Sequence, residues 1–244
     1  MAVLFSQQVD GVSYEVRSAG RTRRLYTDGV FHSQYNPNAL ITGGVWDLMM
    51  LPAFLLPPGS VQRVLLLGLG GGTVIHQLNR FLGPAEIEAV ELDAMHIDIA
   101  ARFFDVSADN VRLHPADARE WVESYRGRKF DLVIDDLFGE QEGEPVRAVP
   151  LDDEWLGRLD ALTTSRGALV TNTLGPAAAQ DVARRLAPRF PGALQLRAPM
   201  DQNAVAGLFR TPVDARQLRR NLMAVPGLNP GRKTNALRFE CRSL

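Results

Sequence analysis

The sequence predicts an α/β protein with a doubly wound parallel sheet and a small antiparallel β segment in front of it. From about residue 60 onward, short apolar runs alternate with segments of helical spacing, which is typical of a parallel sheet covered by helices on both faces. A glycine-rich turn follows the first run, and an acidic residue closes the second. Before residue 60 the pattern is one of short alternating strands broken by turn residues.

The N-terminal part is predicted from its alternation and its turns. Residues 3–31 alternate in short segments and contain the turn Asp28-Gly29, which indicates a β-hairpin or meander. Residues 40–56 are apolar, and Pro52 limits the length of any helix there. A Pro-Pro-Gly sequence then marks a boundary. We therefore divide the chain into 1–59, the β segment with a connecting helix, and 60–244, the sheet domain.

The sheet domain is predicted to contain five parallel strands followed by an antiparallel pair. The strands are expected at 61–67, 87–92, 111–114, 130–135 and 167–173, with helices at 72–82, 94–104, 116–125 and 177–186. Two further apolar runs, 194–196 and 204–209, follow each other without a helix between them. They predict an antiparallel pair at the edge of the sheet.

The composition excludes several classes of function. The chain has 27 Lys and Arg against 28 Asp and Glu, a net charge of −1, so no nucleic-acid partner bound through phosphate neutralisation is expected. The single cysteine, Cys241, excludes an intrachain disulfide and fits a cytoplasmic protein. The four histidines lack metal-ligand spacing, so no metal site is predicted. The longest apolar stretch, 48–58, is too short to span a membrane.

The predicted ligand site begins at the turn after the first strand of the sheet domain. Glycine at Gly68, Gly70, Gly71 and Gly72 lets the backbone turn tightly and brings the free N–H groups of a helix N-terminus near a ligand. Glu91 ends the second strand about 20 residues later, where an acid accepts hydrogen bonds from ribose hydroxyls. The glycines alone also fit a plain βα turn, but together with Glu91 they predict a nucleoside pocket.

Two more positions complete this site at the tips of later strands. Asp117, next to Ala118, follows the third strand, where a carboxylate and a backbone N–H would contact an adenine edge. Asp117 equally fits a helix N-cap, because an acid three residues later completes a capping box, and the two roles are compatible. Asp135 and Asp136 end the fourth strand, at the edge where catalytic groups of open α/β sheets gather.

Two adenosine-containing ligands fit this pattern. In an NAD-binding turn the third glycine of G-x-G-x-x-G would fall at Thr73, and no second mononucleotide half follows. The late antiparallel pair instead suits the Rossmann-like class I S-adenosylmethionine methyltransferase fold. We therefore rank S-adenosylmethionine above NAD.

The four core motifs resemble those of the spermidine/spermine synthase family, in order and at similar spacing. These are Val64-Leu-Leu-Leu-Gly68-Leu-Gly70-Gly71-Gly72, Glu91-Leu-Asp93, Asp117-Ala118 and Phe130-Asp-Leu-Val-Ile-Asp-Asp136, and Leu25-Tyr-Thr-Asp28-Gly29 resembles the turn of that family's small β domain. The resemblance implies that Glu91 binds ribose, that Asp117 and Ala118 bind adenine, and that Asp136 takes the proton of an attacking amine. It also assigns His32, at the place of the family's Gln after the turn, to the cofactor site.

The sequence departs from this family on the side of the polyamine. Aminopropyltransferases carry Asp at the position of Gly71, where it holds the cationic end of decarboxylated S-adenosylmethionine, and a second acid at the position of Gly139. Removing these carboxylates removes charge-assisted hydrogen bonds worth about 1.5–3 kcal/mol each. The Gly-Leu-Gly-Gly-Gly turn is similar to that of spermidine-synthase-like methyltransferases, and a neutral Gly71 does not repel the carboxylate of intact S-adenosylmethionine.

On this basis the sequence ranks methyl transfer from S-adenosylmethionine to an amine first, with Asp136 as the base. The first alternative is an aminopropyltransferase that uses decarboxylated S-adenosylmethionine, and the second is a non-catalytic nucleoside-binding protein. The acceptor is expected to be a small-molecule or side-chain amine. A homodimer is suggested by the resemblance and by the apolar residues 48–56.

Two segments are candidates for contact with the acceptor. Five acids lie between residues 135 and 144, and they predict either a mobile lid that attracts a cation or a solvated loop. Trp46 and Asp47 either line the acceptor pocket, with the indole facing a cation, or belong to the core.

Overall fold

The computed structural model describes residues 1–141, 144–199, 201–229 and 237–244. It begins with an antiparallel sheet in which each strand pairs with the next: β1 (Ala2–Val9), β2 (Val12–Ala19), β3 (Thr22–Thr27) and β4 (Val30–Tyr35). Asp-Gly pairs connect β1 to β2 and β3 to β4. Asp28 and Gly29 have φ of 46° and 82°, as a two-residue hairpin turn requires. The predicted meander is therefore present as four strands.

A short helical segment connects this sheet to the rest of the chain. Helix α1 (Val45–Met50) runs directly into a single 3₁₀ segment, Leu51–Leu55, with Pro52 in its first turn. Proline supplies no N–H for a continuing α-helix, which explains the change of helix type at this point. Leu48 and Met49 are fully buried, so the connection forms part of the core.

The second sheet has eight strands in the order β14-β12-β13-β11-β8-β5-β6-β7. The parallel strands are β5 (Arg63–Leu67), β6 (Glu86–Glu91), β7 (Val111–Pro115), β8 (Phe130–Asp135) and β11 (Thr163–Thr173). The antiparallel strands are β12 (Gly192–Arg197), β13 (Ala204–Phe209) and β14 (Glu240–Ser243). The helices are α2 (Thr73–Phe81), α3 (Ala94–Phe103), α4 (Ala118–Ser124), α5 (Asp153–Leu162), α6 (Gly175–Leu186) and α7 (Ala215–Met223). This is the expected α/β fold.

The strand order creates a crevice above the centre of the second sheet. The chain runs outward from β5 through β6 to β7, and then returns to the other side of β5 as β8. Ligands of open α/β sheets bind at the carboxyl ends of the strands where the order reverses in this way. The ends of β5, β6 and β8 are therefore the expected floor of a site.

The core lies on both faces of this sheet. Along β5, Val64 and Leu66 pack on the face that also contacts the N-terminal sheet, whereas Leu65 and Leu67 pack on the opposite face. Alternate burial on both faces explains why the strand is apolar at every one of these positions. Tyr14 and Leu25 of the N-terminal sheet belong to the first of the two cores, so the two sheets share a core.

Three expectations about the elements need correction. The segment predicted as a lid or solvated loop contains two paired strands, β9 (Phe138–Gln141) and β10 (Glu144–Arg147); Glu142 and Gly143 lie outside the described residues. Strand β12 is not the sheet edge, because β14 pairs with its outer side. Neither β14 nor α7 was predicted.

Candidate active site

A cavity of about 920 Å³ lies over the carboxyl ends of β5, β6 and β8. This is within the usual size range of small-molecule sites. Its walls come from three other parts of the chain: the end of the N-terminal sheet with residues 42–46, the β9–β10 hairpin, and residues 201–203. The predicted residues that line it are Gly68, Gly70, Glu91, Asp117, Ala118, Asp136 and His32.

Gly68 joins the turn after β5 to the turn after β8. Its φ is +90°, and a Cβ at this position would lie only 2.3 Å from the carbonyl oxygen of Asp136. The Asp136 N–H donates to the carbonyl of Leu67 at 2.8 Å. Only glycine fits here, and the two turns therefore hold each other in place.

Gly71 and Gly72 lie behind the turn, and their predicted role in cofactor binding stays a prediction. They are not among the residues that line the cavity. A Cβ at Gly71 would lie 2.8 Å from the Cβ of Ser33 and 2.9 Å from the ring of Phe104, and a Cβ at Gly72 would lie 2.4 Å from Val106. These glycines permit close packing of the turn against its neighbours, and the direction open to a side chain at position 71 is filled.

Glu91 is fixed by backbone N–H groups of the glycine turn. Its Oε2 accepts hydrogen bonds from Leu69 at 2.9 Å and Gly70 at 3.1 Å, and its Oε1 accepts one from Asp93 at 2.9 Å. The carboxylate is thus oriented at the floor of the cavity before any ligand binds. Its contact with a ribose stays a prediction.

Asp117 is the N-cap of α4 and also lines the cavity. Its Oδ1 accepts a hydrogen bond from the Arg119 N–H at 2.6 Å. Capping satisfies one of the free N–H groups at the start of the helix. The predicted cap is present, and Asp117 and Ala118 also line the cavity; their contact with an adenine stays a prediction.

Asp135 and Asp136 have different partners. Asp135 is fully buried and accepts hydrogen bonds from Arg147 Nη2 at 3.0 Å and Trp155 Nε1 at 2.9 Å, so its role is structural. Asp136 lines the cavity, and its Oδ1 accepts a hydrogen bond from Asn172 Nδ2 at 2.7 Å. Burial raises the pKa of Asp136 to about 7, although the Asn172 hydrogen bond opposes this shift. A carboxyl with this pKa is suited to exchange protons near neutral pH.

His32 forms part of the wall contributed by the N-terminal sheet. Its ring lies 5.1 Å from that of His96, and its Nε2 is buried without a hydrogen-bond partner in the described part of the chain. Burial, reinforced by His96, lowers the pKa of His32 to about 4. The ring is therefore neutral at physiological pH.

Trp46 and Asp47, the two residues proposed for the acceptor pocket, have different surroundings. Trp46 lines the cavity, where its ring packs edge-on against Phe31 at 5.1 Å. Asp47 is buried, and its carboxylate holds the preceding loop by accepting hydrogen bonds from Thr42 and Gly43. Asp47 is therefore a structural residue.

The polar residues of the cavity that sequence reasoning missed include Asn172, Asp201 and Asn203. Asn203 donates to Asn172 Oδ1 at 3.0 Å, and Asn172 donates to Asp136. The sequence could have identified Asn172, because this residue lies near the tip of the predicted strand 167–173. Asp201 and Asn203 lie in a connection between antiparallel strands, where no motif identifies them.

Neither a group of metal ligands nor a membrane-spanning helix is expected from the sequence. Within residues 1–141, 144–199, 201–229 and 237–244, no three His, Cys, Asp or Glu side chains are grouped as metal ligands would be. In the same residues no helix has both the length and the apolar character needed to cross a membrane.

The chain has the class I methyltransferase type of α/β fold with an added N-terminal antiparallel sheet. The family model of the spermine/spermidine synthase domain matches residues 46–145. A probable spermidine synthase from Corynebacterium glutamicum has the same fold, with a TM-score of 0.75 at 16% identity over 99% of this chain and 90% of that one. The resemblance expected from the motifs is confirmed: residues 46–145 match the spermine/spermidine synthase domain, and the fold is that of a probable spermidine synthase.

Curated relatives match over part of their length. A polyamine aminopropyltransferase from Vibrio vulnificus is 33% identical over 128 residues, 51% of this chain and 42% of the relative. An eEF1A lysine and N-terminal methyltransferase homolog from Drosophila melanogaster is 35% identical over 86 residues, 33% of this chain and 13% of the relative. The chain thus spans less than half the length of either protein. The aminopropyltransferase relatives do not support the ranking of methyl transfer first. They fit the first alternative of the sequence analysis, aminopropyl transfer, better.

Proposed function

We propose that the protein transfers an aminopropyl group from decarboxylated S-adenosylmethionine to a small amine. The observation that carries this proposal is Asp136, a carboxyl with a pKa of about 7 that faces the cavity beside the glycine turn. The aminopropyltransferase relatives support the choice of the transferred group. This order reverses the one suggested by the sequence motifs alone.

The donor side of the cavity fits an adenosyl sulfonium compound. Gly68 and Gly70 keep the floor free of side chains, Glu91 presents a preoriented carboxylate, and Asp117 and Ala118 border the adjoining space. A sulfonium donor supplies a carbon activated for displacement, so the protein chiefly has to align the acceptor and remove a proton.

Asp136 is the proposed proton acceptor. As the amine nitrogen forms a bond to the propyl carbon, the carbon–sulfur bond breaks and its electron pair stays on sulfur, leaving neutral methylthioadenosine. The nitrogen loses one proton to Asp136. Asn172 holds the carboxylate in a single orientation during this exchange.

Methyl transfer is the second candidate, and Gly71 favours it. Position 71 has no carboxylate to hold the cationic end of a decarboxylated donor, and Ser33 and Phe104 fill the space where such a side chain would extend. The Drosophila methyltransferase relative supports the same candidate. In that reaction the acceptor nitrogen takes the methyl group and the product is adenosylhomocysteine.

Mass spectrometry with both donors distinguishes these candidates. The protein is incubated with 1,4-diaminobutane and each donor in turn. Methylthioadenosine together with an aminopropylated amine supports the proposal, whereas adenosylhomocysteine with a methylated amine supports the second candidate. The absence of both products, with nucleoside binding retained, would indicate a binding protein.

Substitution of the base tests the role of Asp136. Asp136→Asn is expected to lower kcat by about 10²–10⁴-fold, the usual contribution of a positioned base. Binding of methylthioadenosine, measured by calorimetry, is expected to change little. Asp109→Asn, an exposed acid outside the cavity, is the matched control. Full turnover in Asp136→Asn would refute the assignment.

A further inference from the structure

A second, smaller cavity lies at the outer edge of the eight-stranded sheet, apart from the candidate active site. Its volume is about 280 Å³, and it is formed where β12 pairs with β14 beside the start of α6. The residues that line it are Pro176, Gln195, Arg197, Glu240, Cys241 and Arg242, and none of them lines the larger cavity. A space of this size suits a small ligand or one end of a larger molecule.

Two arginines from paired strands line this second cavity. Arg197 ends β12, and Arg242 lies in β14 directly opposite Gln195. The Arg197 guanidinium makes no hydrogen bond within the described part of the chain, and 40% of the side-chain surface is exposed. Arg242 donates a single side-chain hydrogen bond, from Nη2 to Gln195 Oε1 at 2.9 Å. Most N–H groups of the two guanidiniums are therefore available to a ligand.

Gln195 supplies a third donor beside the two arginines. The residue is only 5% exposed, and its Oε1 is occupied by Arg242, which identifies the other amide atom as the N–H₂ group. This Nε2 has no hydrogen-bond partner among the described residues, but it is not closed off from solvent as Arg197 Nε is. Donors of buried side chains are normally paired, so the open N–H group indicates a ligand that accepts a hydrogen bond.

The remaining charges around the cavity leave it positive. The first turn of α6, which contains Pro176, has no side-chain cap, and the N-terminus of a helix attracts anions. Glu240 is the one acid among the described lining residues; it is 75% exposed and lies 4.0 Å from Arg197 Nη1. An ion pair of this length and exposure is weak, so an anion can replace the carboxylate at Arg197.

The set of donors matches the geometry of a phosphate group. Each guanidinium presents parallel N–H groups that bind two oxygens of one phosphate, and such charge-assisted hydrogen bonds are stronger than those between neutral groups. A phosphate also has enough oxygens and charge to contact Arg197, Arg242 and Gln195 together, whereas the two oxygens of a carboxylate are used by a single guanidinium.

We propose that Arg197, Arg242 and Gln195 form a binding site for a phosphate group, separate from the active site. The inference does not depend on the proposed transfer, because no residue of this second cavity takes part in it. The ligand is either inorganic phosphate or the phosphate end of a larger monoester, and the two present the same oxygens to the site.

Equilibrium dialysis with radiolabelled inorganic phosphate tests the site at low ionic strength, where surface charges are least screened. The wild-type protein is expected to bind one phosphate. Arg197→Met and Arg242→Met are each expected to raise Kd about 10-fold, the lower value for a hydrogen bond to a charged group. Arg80→Met removes the same charge at an exposed position outside both cavities, and this matched control is expected to leave Kd unchanged.

Glu240→Gln guards against a folding defect in the arginine variants, because its effect has the opposite sign. Removal of a negative charge a few ångströms from the bound anion is expected to lower Kd about 3- to 5-fold. A damaged site would not bind phosphate more tightly. Weaker binding in Glu240→Gln would contradict the proposed placement of the anion between the two arginines.

Competition separates this site from the larger cavity, and a second ligand identifies the source of the phosphate. Excess methylthioadenosine is expected to leave the phosphate bound. Tighter binding of glycerol 3-phosphate, with the same dependence on both arginines, supports the end of a larger monoester, and equal or weaker binding supports the free ion. The proposal is overturned if wild type binds no phosphate, if both arginine variants keep the wild-type Kd, or if methylthioadenosine displaces the anion.

Discussion

The carboxylates of Asp135 and Asp136 follow one another in the chain but have opposite environments. Asp135 faces the interior, where Arg147 and Trp155 use both of its oxygens. Asp136 faces the cavity and has one amide partner, Asn172. Asp135 is the last residue of β8 and Asp136 lies in the turn that follows, so the two adjacent acids have different surroundings.

The pH dependence of turnover is expected to follow Asp136. Since the ionised carboxylate is the base, kcat/KM should rise with pH through an apparent pKa of about 7. Asn172→Ala removes a hydrogen bond that favours the ionised carboxylate of Asp136. The rise of kcat/KM is therefore expected to move to higher pH. A pH–rate profile of both proteins measures the shift, and a limb that moves to lower pH in the variant would contradict it.

The same carboxyl is expected to affect stability. Burial raises its pKa from 3.8 to about 7, so the protonated form stabilises the fold fully below about pH 4, and this contribution is lost as the pH rises through 7. Asp136→Asn, which stays neutral, should therefore be more stable than wild type by about 4 kcal/mol at pH 8, the free energy of a three-unit pKa difference, and by less than about 1 kcal/mol at pH 4. Urea denaturation at both values measures this. A variant less stable at pH 8 would show that the carboxylate is not destabilising.

At the scale of elements, the β9–β10 hairpin is anchored by Arg147 at the end of β10. The guanidinium contacts both oxygens of Asp135 and also donates to the carbonyls of Val149 and Asn172. One side chain thus connects the hairpin to the tips of β8 and β11. The hairpin contributes Phe138 and Pro145 to the cavity, so its position affects the shape of the site.

Arg147→Met is expected to destabilise the protein by about 3–5 kcal/mol, because Asp135 would keep a buried charge without its ion pair. Arg185→Met removes two ion pairs on the surface, with Asp153 and Asp181, and should cost no more than about 1 kcal/mol. Thermal or urea unfolding of the two variants gives the comparison. Similar values for both would mean that the Asp135 pair contributes no more than a surface pair.

In the turn after β5, Gly71 stands where aminopropyltransferases carry Asp, and substitution tests the effect of this difference. Gly71→Asp restores the acid of the aminopropyltransferases, but its Cβ would lie under 3 Å from Ser33 and Phe104. We expect lower stability, by about 1–3 kcal/mol as for other overpacked sites, and no gain in turnover with the decarboxylated donor. Increased turnover with unchanged stability would show that the turn adapts to an acid.

At the scale of the whole molecule, the two predicted domains share one core. Tyr14, Leu25 and Leu48 belong to the same buried cluster as Val64 and Leu66 of the second sheet. A fragment of residues 60–244 is therefore expected to aggregate or to unfold at low denaturant, because removal of 1–59 exposes this face. Circular dichroism and size-exclusion chromatography would test it. A fragment that unfolds cooperatively would support the division at residue 60.

The sequence predicted most of the second sheet because periodicity and glycine turns are local properties. Glu91 and Asp136 were found in the same way, at the ends of apolar strands. The close packing around Gly71 was not predicted, since it comes from Ser33 and Phe104, which are distant in the chain. Asp201 was missed for a similar reason: its place at the cavity depends on the pairing of β12 with β13.

The contact between Gly68 and the carbonyl of Asp136 limits how such a protein can diversify. A Cβ at Gly68 would lie only 2.3 Å from the carbonyl oxygen of Asp136. The glycine turn and the turn that carries the proposed base therefore cannot change position independently. Changes of acceptor must then accumulate on the rim, at residues 42–46 and 201–203, which no sheet register constrains. Laboratory evolution toward new amines is best directed at those two short segments.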